Sequence, residues 1–207
     1  MNKPSLNNLP HRYFIINKPY NIVSQFISPH EVGLLGDLKF KFPEGTHAIG
    51  RLDKDSEGLL LLTTNKKITR LLFSDDIKHK RVYLVQAGGA VNEGHLHLLR
   101  TGVSIRIEGG KNYITPVCEV DIIEHPQTIY PFTNSTKEYG EHTWLLITLY
   151  EGKYRQVRKM LNAVHHRCKR LIRVSIENIL LEDLAPGDVK EIEEDIFFDK
   201  LKIKKDN

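Results

Sequence analysis

The stretch at residues 50–65, GRLDKDSEGLLLLTTN, decides how this chain is read. Its second half, residues 59–63, is apolar without alternation, the pattern of a strand covered on both faces. Its first half is a polar loop carrying Arg51, Asp53, Lys54, Asp55 and Glu57. Just upstream, His47–Ile49 reads as a short strand, so the loop hangs between two core strands. Loops held by a rigid scaffold are where reactive groups are disproportionately found.

Working outward, residues 12–17 (RYFIIN) form a first strand, and residues 18–21 a turn into a second at 22–26. A helical stretch follows around residues 34–40. On the other side, Asn65 can cap a helix through residue 73, residues 80–87 (KRVYLVQA) alternate as a strand, and Asn92 opens a helix to about Arg100. Strands are expected at 103–107, 117–123 and 143–149. In the last of these Trp144, Leu146 and Thr148 alternate with Leu145, Ile147 and Leu149. Residues 125–142 carry two prolines and a polar run, and they are longer than most structureless connections, which makes them a binding loop or a disordered one. A helix over 154–165 places Val157, Leu161 and Val164 on one side. Residues 170–181 read as a strand pair or one long strand, residues 184–187 as a turn, and residues 189–192 as a final strand. Strands and helices do not alternate regularly, so the fold class is α+β with a mostly antiparallel sheet.

The chain has 207 residues, of which 40% are hydrophobic and 27% charged, ordinary for one globular domain or two intimately packed halves. Its longest apolar run, residues 59–62, is far short of a bilayer span, so no membrane insertion is expected. The opening MNKPSLNNLPHRYFIIN has neither an apolar signal core nor a small-residue cleavage site, and a cytoplasmic location is expected. Cys118 and Cys168 lie far apart and read as reduced structural thiols. The net charge of +4 is unevenly spread. Residues 153–173 carry eight cations and no acid, whereas residues 174–207 carry ten acids and five lysines. A concentrated basic segment is the footprint of a phosphate-backbone binder, although a solvated helix face has the same composition.

Three chemistries fit the Asp53/Asp55 loop. The two carboxylates could hold a divalent metal, but no further ligand is clearly placed in sequence. Asp53 and Ser56 could simply satisfy the backbone donors of a tight turn. Or one aspartate could be a nucleophile, kept ionised and aimed by a nearby guanidinium. Elsewhere, His95 and His97 diverge on a helix, and His165-His166 has no third ligand nearby. Gly88-Gly89 and Gly109-Gly110 lack the context of a nucleotide loop and read as turns.

These residues also resemble a known family. GRLDKDSEGLLLLTTN resembles the signature GRLDxxTxGLLLLTN of the RsuA-type pseudouridine synthases, the group that includes the RluB and RluE branches. EGKYRQVRKM at residues 151–160 and RLIRVSIENILLEDLAPGDVKEI at 170–192 resemble its second and C-terminal motifs. INKPYNIVSQF at 16–26 and KRVYLVQ at 80–86 add two more in the expected order, so the resemblance spans about nine-tenths of the chain. The opening is most similar to the RluE branch, which lacks the RNA-binding S4 domain and modifies large-subunit ribosomal RNA.

The resemblance implies the pseudouridine synthase catalytic fold, a mixed and mostly antiparallel sheet in two packed lobes with flanking helices and a central cleft. The expected division is a short tail at 1–11, a catalytic domain at 12–195 and a charged tail at 196–207. Asp53 would be the nucleophile, Tyr83 the ring stacked under the target uracil, Arg158 the cation paired with Asp53, and Leu171 the apolar residue packed on the catalytic site. Arg51 would fill the space left by the flipped nucleotide. Lys18, Arg155, Gln156 and Arg173 would contact phosphate or line the site. The partner would be large-subunit ribosomal RNA and the protein a monomer, with no metal, nucleotide or other cofactor, because the isomerisation involves neither redox change nor energy input. Ser56 stands where the family has threonine and keeps the hydroxyl, while Lys66-Lys67 add positive charge after Asn65. Residues 127–141 are the least family-like and are where substrate choice could lie. Two rival readings are an inactive RNA-binding ribosome-assembly factor on the same fold and a metal-dependent phosphoesterase using Asp53 and Asp55.

Overall fold

The computed structural model describes residues 10–73, 78–135 and 140–205. Strand β1 (Tyr13–Lys18) leads to β2 (His47–Ile49), β3 (Glu57–Thr63), helix α1 (Ile68–Phe73), β4 (Arg81–Gly88) and α2 (Glu93–Thr101). The short hairpin of β5 (Ser104–Arg106) and β6 (Asn112–Ile114) follows, then β7 (Glu119–Ile122) and β8 (His142–Leu149). Helix α3 (Gln156–Ala163), β9 (Cys168–Ile176), β10 (Ile179–Leu180), β11 (Val189–Ile192) and α4 (Glu194–Leu201) complete the chain. The main sheet runs β11-β1-β3-β9-β4-β8-β7, with β2 on β3 and β10 on β9. Each pairing is antiparallel except β3 with β9, which touch in parallel at only Glu57–Ile172 and Gly58–Arg173.

That two-residue joint is where the molecule divides. Side chains alternate across a strand, so β1 sends Tyr13 and Ile15 to one face and Phe14 and Ile16 to the other, and β3 splits Leu59 and Leu61 from Leu60 and Leu62. The first face carries a continuous core that crosses the joint, with Leu84, Ile172, Val174 and Ile176 beyond it. The opposite face carries two separate cores. Phe14, Ile16, Leu52, Leu60 and Leu62 pack beneath an aromatic group of Phe26, Phe40 and Phe42. Tyr83, Val85, Leu145, Ile147 and Leu171 pack under α2 and α3. The expected two lobes are these two half-cores, and the cleft is the gap between them.

Glycine is required at the joint. Gly58 has φ +98°, and a Cβ there would lie 2.4 Å from the Arg173 carbonyl oxygen. Only a residue without a side chain lets β3 approach β9 this closely.

Several expectations need correction. Residues 22–26 are not a sheet strand. Asn21 turns at φ +68°, and the segment bonds instead to its own loop, Val23 N–H to Gly33 O and Leu35 N–H to Gln25 O. The helical stretch at 34–40 is a single 3-10 turn, Leu35–Asp37. Strand β6 was not expected, since in its three residues only Tyr113 turns to the core, too few to show a period. Residues 196–203 are not a charged tail: Phe197, Phe198, Leu201 and Ile203 are buried in the continuous core, and α4 straddles the boundary placed at residue 195. Its charges occupy the outer side of an amphipathic helix. The expected N-terminal tail lies outside the described residues up to residue 9. The connection at 125–142 contains 3-10 turns Pro126–Thr128 and Pro131–Ser135, and its residues 136–139 also lie outside the described ones.

Candidate active site

The loop from β2 to β3 crosses the mouth of the cleft, and the segment after β1 fixes its backbone. Ser24 Oγ donates to Leu52 O (2.8 Å) and accepts from Leu52 N–H (2.9 Å), while Asn21 N–H donates to Lys54 O (2.8 Å). Ser56 N–H returns to Asp53 O at 3.0 Å, closing the turn that presents Asp53.

The segment is itself clamped by Lys18. Its side chain is fully buried, and Nζ donates to Pro19 O (2.8 Å) and Ile22 O (2.6 Å). Burial pushes the ammonium down to about 8, against the pull of Glu57, Asp53 and Asp55. Lys18 is therefore an internal brace and does not reach solvent phosphate, contrary to the sequence expectation.

The cations on the loop come from α3. Arg155 sits just before the helix in the left-handed region (φ 53°), which turns its side chain back toward the loop. Its Nη1 and Nη2 bond Asp55 Oδ1 and Oδ2 at 2.9 and 2.8 Å, and Nη1 stands 3.5 Å from Asp53 Oδ2. The bidentate bond holds the Asp55 carboxyl below the usual carboxylate range. Arg158, one helical turn along, donates to the Asp55 carbonyl, to Ser56 Oγ (3.4 Å) and to Cys168 O (3.3 Å), with Nε 3.4 Å from Asp55 Oδ2. The expected Asp53–Arg158 pair is thus replaced: Arg155 faces Asp53, and Arg158 fastens the loop's backbone. Arg155 and Arg158 are three positions apart, about one turn, so spacing alone does not decide which guanidinium meets which carboxylate.

Between the half-cores lies a cleft of about 530 Å³, lined among others by Arg51, Asp53, Tyr83, Arg155, Leu171 and Arg173. Tyr83 and Leu171 supply its apolar wall from β4 and β9 and are nearly buried. Arg173 Nε holds Leu59 O at 2.8 Å across the joint, while Nη2 is buried with no hydrogen-bond partner among the described residues. Gln156 Nε2 donates to Glu151 Oε1 (2.6 Å), and its Oε1 accepts from Lys153 N–H, so it braces the wall without offering its amide to a ligand. Glu151 Oε2 also accepts from Tyr113 of β6, a bond that pushes the phenol up to about 12. Arg51 is exposed at the rim. Sequence reasoning passed over Ser24, Glu151 and the exposed Tyr154, all of which line the cleft. A serine or tyrosine in a loop carries no periodic signal that marks it.

The cleft thus holds a half-buried carboxylate beside a guanidinium, under an aromatic wall. The profile described as RNA pseudouridylate synthase matches residues 12–163. The chain belongs to the RNA pseudouridylate synthase family. It is 37% identical to the ribosomal large subunit pseudouridine synthase E of Vibrio vulnificus (strain CMCP6), over 92% of this chain and 79% of that protein. A protein of the same name from Xanthomonas axonopodis pv. citri (strain 306) is 34% identical over 83% of this chain and 89% of its own length. A crystal structure of a pseudouridylate synthase superposes with a TM-score of 0.74 at 25% identity, covering 93% of this chain and 74% of that one. Like other members of the family, the chain is an isomerase that acts on RNA, and the α+β cleft architecture is the family's fold. No helix among the described residues is long and apolar enough to cross a membrane.

Proposed function

We propose that this chain converts a uridine of large-subunit ribosomal RNA to pseudouridine, with Asp53 as the nucleophile. The observation that carries the reading is the placement of Asp53 on the cleft wall, 3.5 Å from Arg155 and facing the gap between the two half-cores. The names of the relatives that share most of this chain's length supply the substrate.

The reaction breaks the N1–C1′ bond of uridine and joins C1′ to C5, with the C5 proton lost and one gained at N1. Nothing is oxidised and no group leaves the RNA, so no cofactor is required. The uridine must leave its stack, at a cost of a few kcal/mol. The cleft volume falls within the range of roughly 300–1,000 Å³ typical of small-ligand sites. Tyr83 and Leu171 offer the base an apolar surface, and Arg51 at the rim faces the vacated stack. Arg155, 3.5 Å away, holds Asp53 in place, and Arg158 acts through the loop as a positioning residue. Because Arg155 already stands against both carboxylates, a divalent cation on Asp53 and Asp55 would meet a positive charge; this favours the isomerase reading over the metal-dependent one. The catalytic unit runs through Ile203, and the protein works in the cytoplasm as a monomer.

The test is carbodiimide-probed primer extension across large-subunit ribosomal RNA from cells lacking this protein, complemented with the wild type or with Asp53→Asn. One stop restored by the wild type alone is the expected result. A stop restored equally by Asp53→Asn would leave an RNA-binding assembly factor as the better reading, and no restored stop would overturn the substrate.

A further inference from the structure

A second cavity, a groove of about 970 Å³, lies on the far side of Arg155. Arg155 lines both cavities, so the groove begins at the rim where the cleft ends. Its walls come from the end of β5, the outer side of α3 and the turn between α3 and β9. Of the side chains lining it, Asp55 alone is acidic, and Asp55 is already bound by Arg155. Arg106, Lys159 and Arg167 line it from those three elements, and none has a carboxylate partner among the described residues. Arg106 and Arg167 are exposed. Lys159 Nζ stands 5.2 Å over the ring of Tyr154, which is 71% exposed on the cleft side of the same ridge.

We infer that this groove holds the RNA strand flanking the target uridine, with backbone phosphates on Arg106, Lys159 and Arg167. The inference rests on the reading of the cleft as a uridine site. A flipped nucleotide leaves its neighbours outside the cleft, still joined through phosphates, and the strand must leave over the rim. Over Arg155 it meets a ridge with an exposed aromatic face, the kind of surface on which an unstacked base sits regardless of sequence. Beyond the ridge it meets three cations that no carboxylate among the described residues neutralises. An acidic peptide would be drawn by the same charges, but continuity with a cleft built for one nucleotide favours the strand that carries it.

The test uses the full chain with Arg106, Lys159 and Arg167 changed together to alanine. Its control changes Lys190, Lys200 and Lys204 to alanine, three lysines on the opposite-signed C-terminal segment. Dissociation constants for a large-subunit RNA stem-loop with a single-stranded extension are measured between 50 and 300 mM salt. Each single-strand phosphate contact contributes about 0.7 to the slope of log affinity against log salt. The groove variant should therefore have a slope shallower by about 2 and an affinity at physiological salt weakened by about 10–100-fold, with KM raised more than kcat is lowered. The control should match the wild type in slope and turnover. A groove-variant slope within about 0.5 of wild type, or an equal loss in the control, would overturn the inference. If the triple variant fails to fold, Arg106→Ala and Arg167→Ala, each an exposed site, should each remove about 0.7 from the slope. The binding readout needs no turnover. A wild type that modifies no uridine but shows this slope difference would sink the isomerase substrate and leave the groove standing, whereas a wild type that modifies its uridine with no slope difference would sink the groove alone.

Discussion

The cleft and the groove meet at Arg155 and are both rich in cations, yet the cations are used differently. Around the catalytic loop, Lys18, Arg155 and Arg158 each hold a carboxylate or backbone carbonyls at hydrogen-bonding distance, Arg158 doing so from the groove's inner wall. On the groove's outer walls, Arg106, Lys159 and Arg167 hold none among the described residues. Engaged cations fix geometry and change turnover when removed; unengaged ones are available to a polyanion and change affinity and its salt dependence. The basic segment at 153–173 therefore serves two purposes, which its charge count merges into one.

The largest effect that could break this division is at Arg155. Arg155→Met should lower kcat by about 10²–10³-fold, the size expected when a positioned charge beside a reacting group is lost, while the RNA dissociation constant stays within a few-fold. Steady-state kinetics beside equilibrium binding would decide it. A loss confined to binding would move Arg155 to the groove's class.

The engaged side also depends on the tight β3–β9 joint that ends the catalytic loop. Gly58→Ala places a Cβ against the Arg173 carbonyl at a backbone angle unfavourable to alanine. It should destabilise the fold by about 2–4 kcal/mol in urea denaturation, through backbone strain and overpacking together. A loss under about 1 kcal/mol would mean that the joint yields and does not fix the cleft.

A smaller effect sharpens the role of Lys18. Its folded value, about 8, lies below the ordinary 10.5, so between those values the unfolded chain holds more protons than the folded one. Raising the pH through that window should therefore stabilise the fold, by up to about 3 kcal/mol from this group. The gain from pH 7.5 to pH 10 in urea denaturation should be larger for the wild type than for Lys18→Met. Equal gains would mean that the ammonium is not held inside.

Much of the cleft is legible in the sequence because it is built on periodicity. The unbroken apolar run at residues 59–62 gives a buried strand, and the polar stretch before it must then be a loop at the sheet's end. The spacing of Val157, Leu161 and Val164 gives the buried side of α3. What sequence leaves open is direction. Lys18 looks like any surface lysine until β1 turns it inward. Arg155 takes the place beside Asp53 expected of Arg158, because its left-handed backbone before the helix rotates its guanidinium onto the loop. Charge misleads at the C-terminus, where acids and lysines outnumber the four apolar residues that dock α4 and its following turn. The groove was invisible for another reason, since Arg106 and Arg167 are 61 residues apart and only the packing of α3 against β5 brings them to one surface.

The central claim is that Asp53 carries out the chemistry and does not merely shape the loop. Its most direct test is single-turnover release of tritium from an RNA stem-loop labelled at C5 of uridine, measured for the wild type and for Asp53→Asn, with RNA affinity measured on the same preparations. The account predicts release slowed at least about 10³-fold, the scale of losing a catalytic nucleophile, with affinity within about three-fold of wild type. Release at the wild-type rate by Asp53→Asn would contradict it.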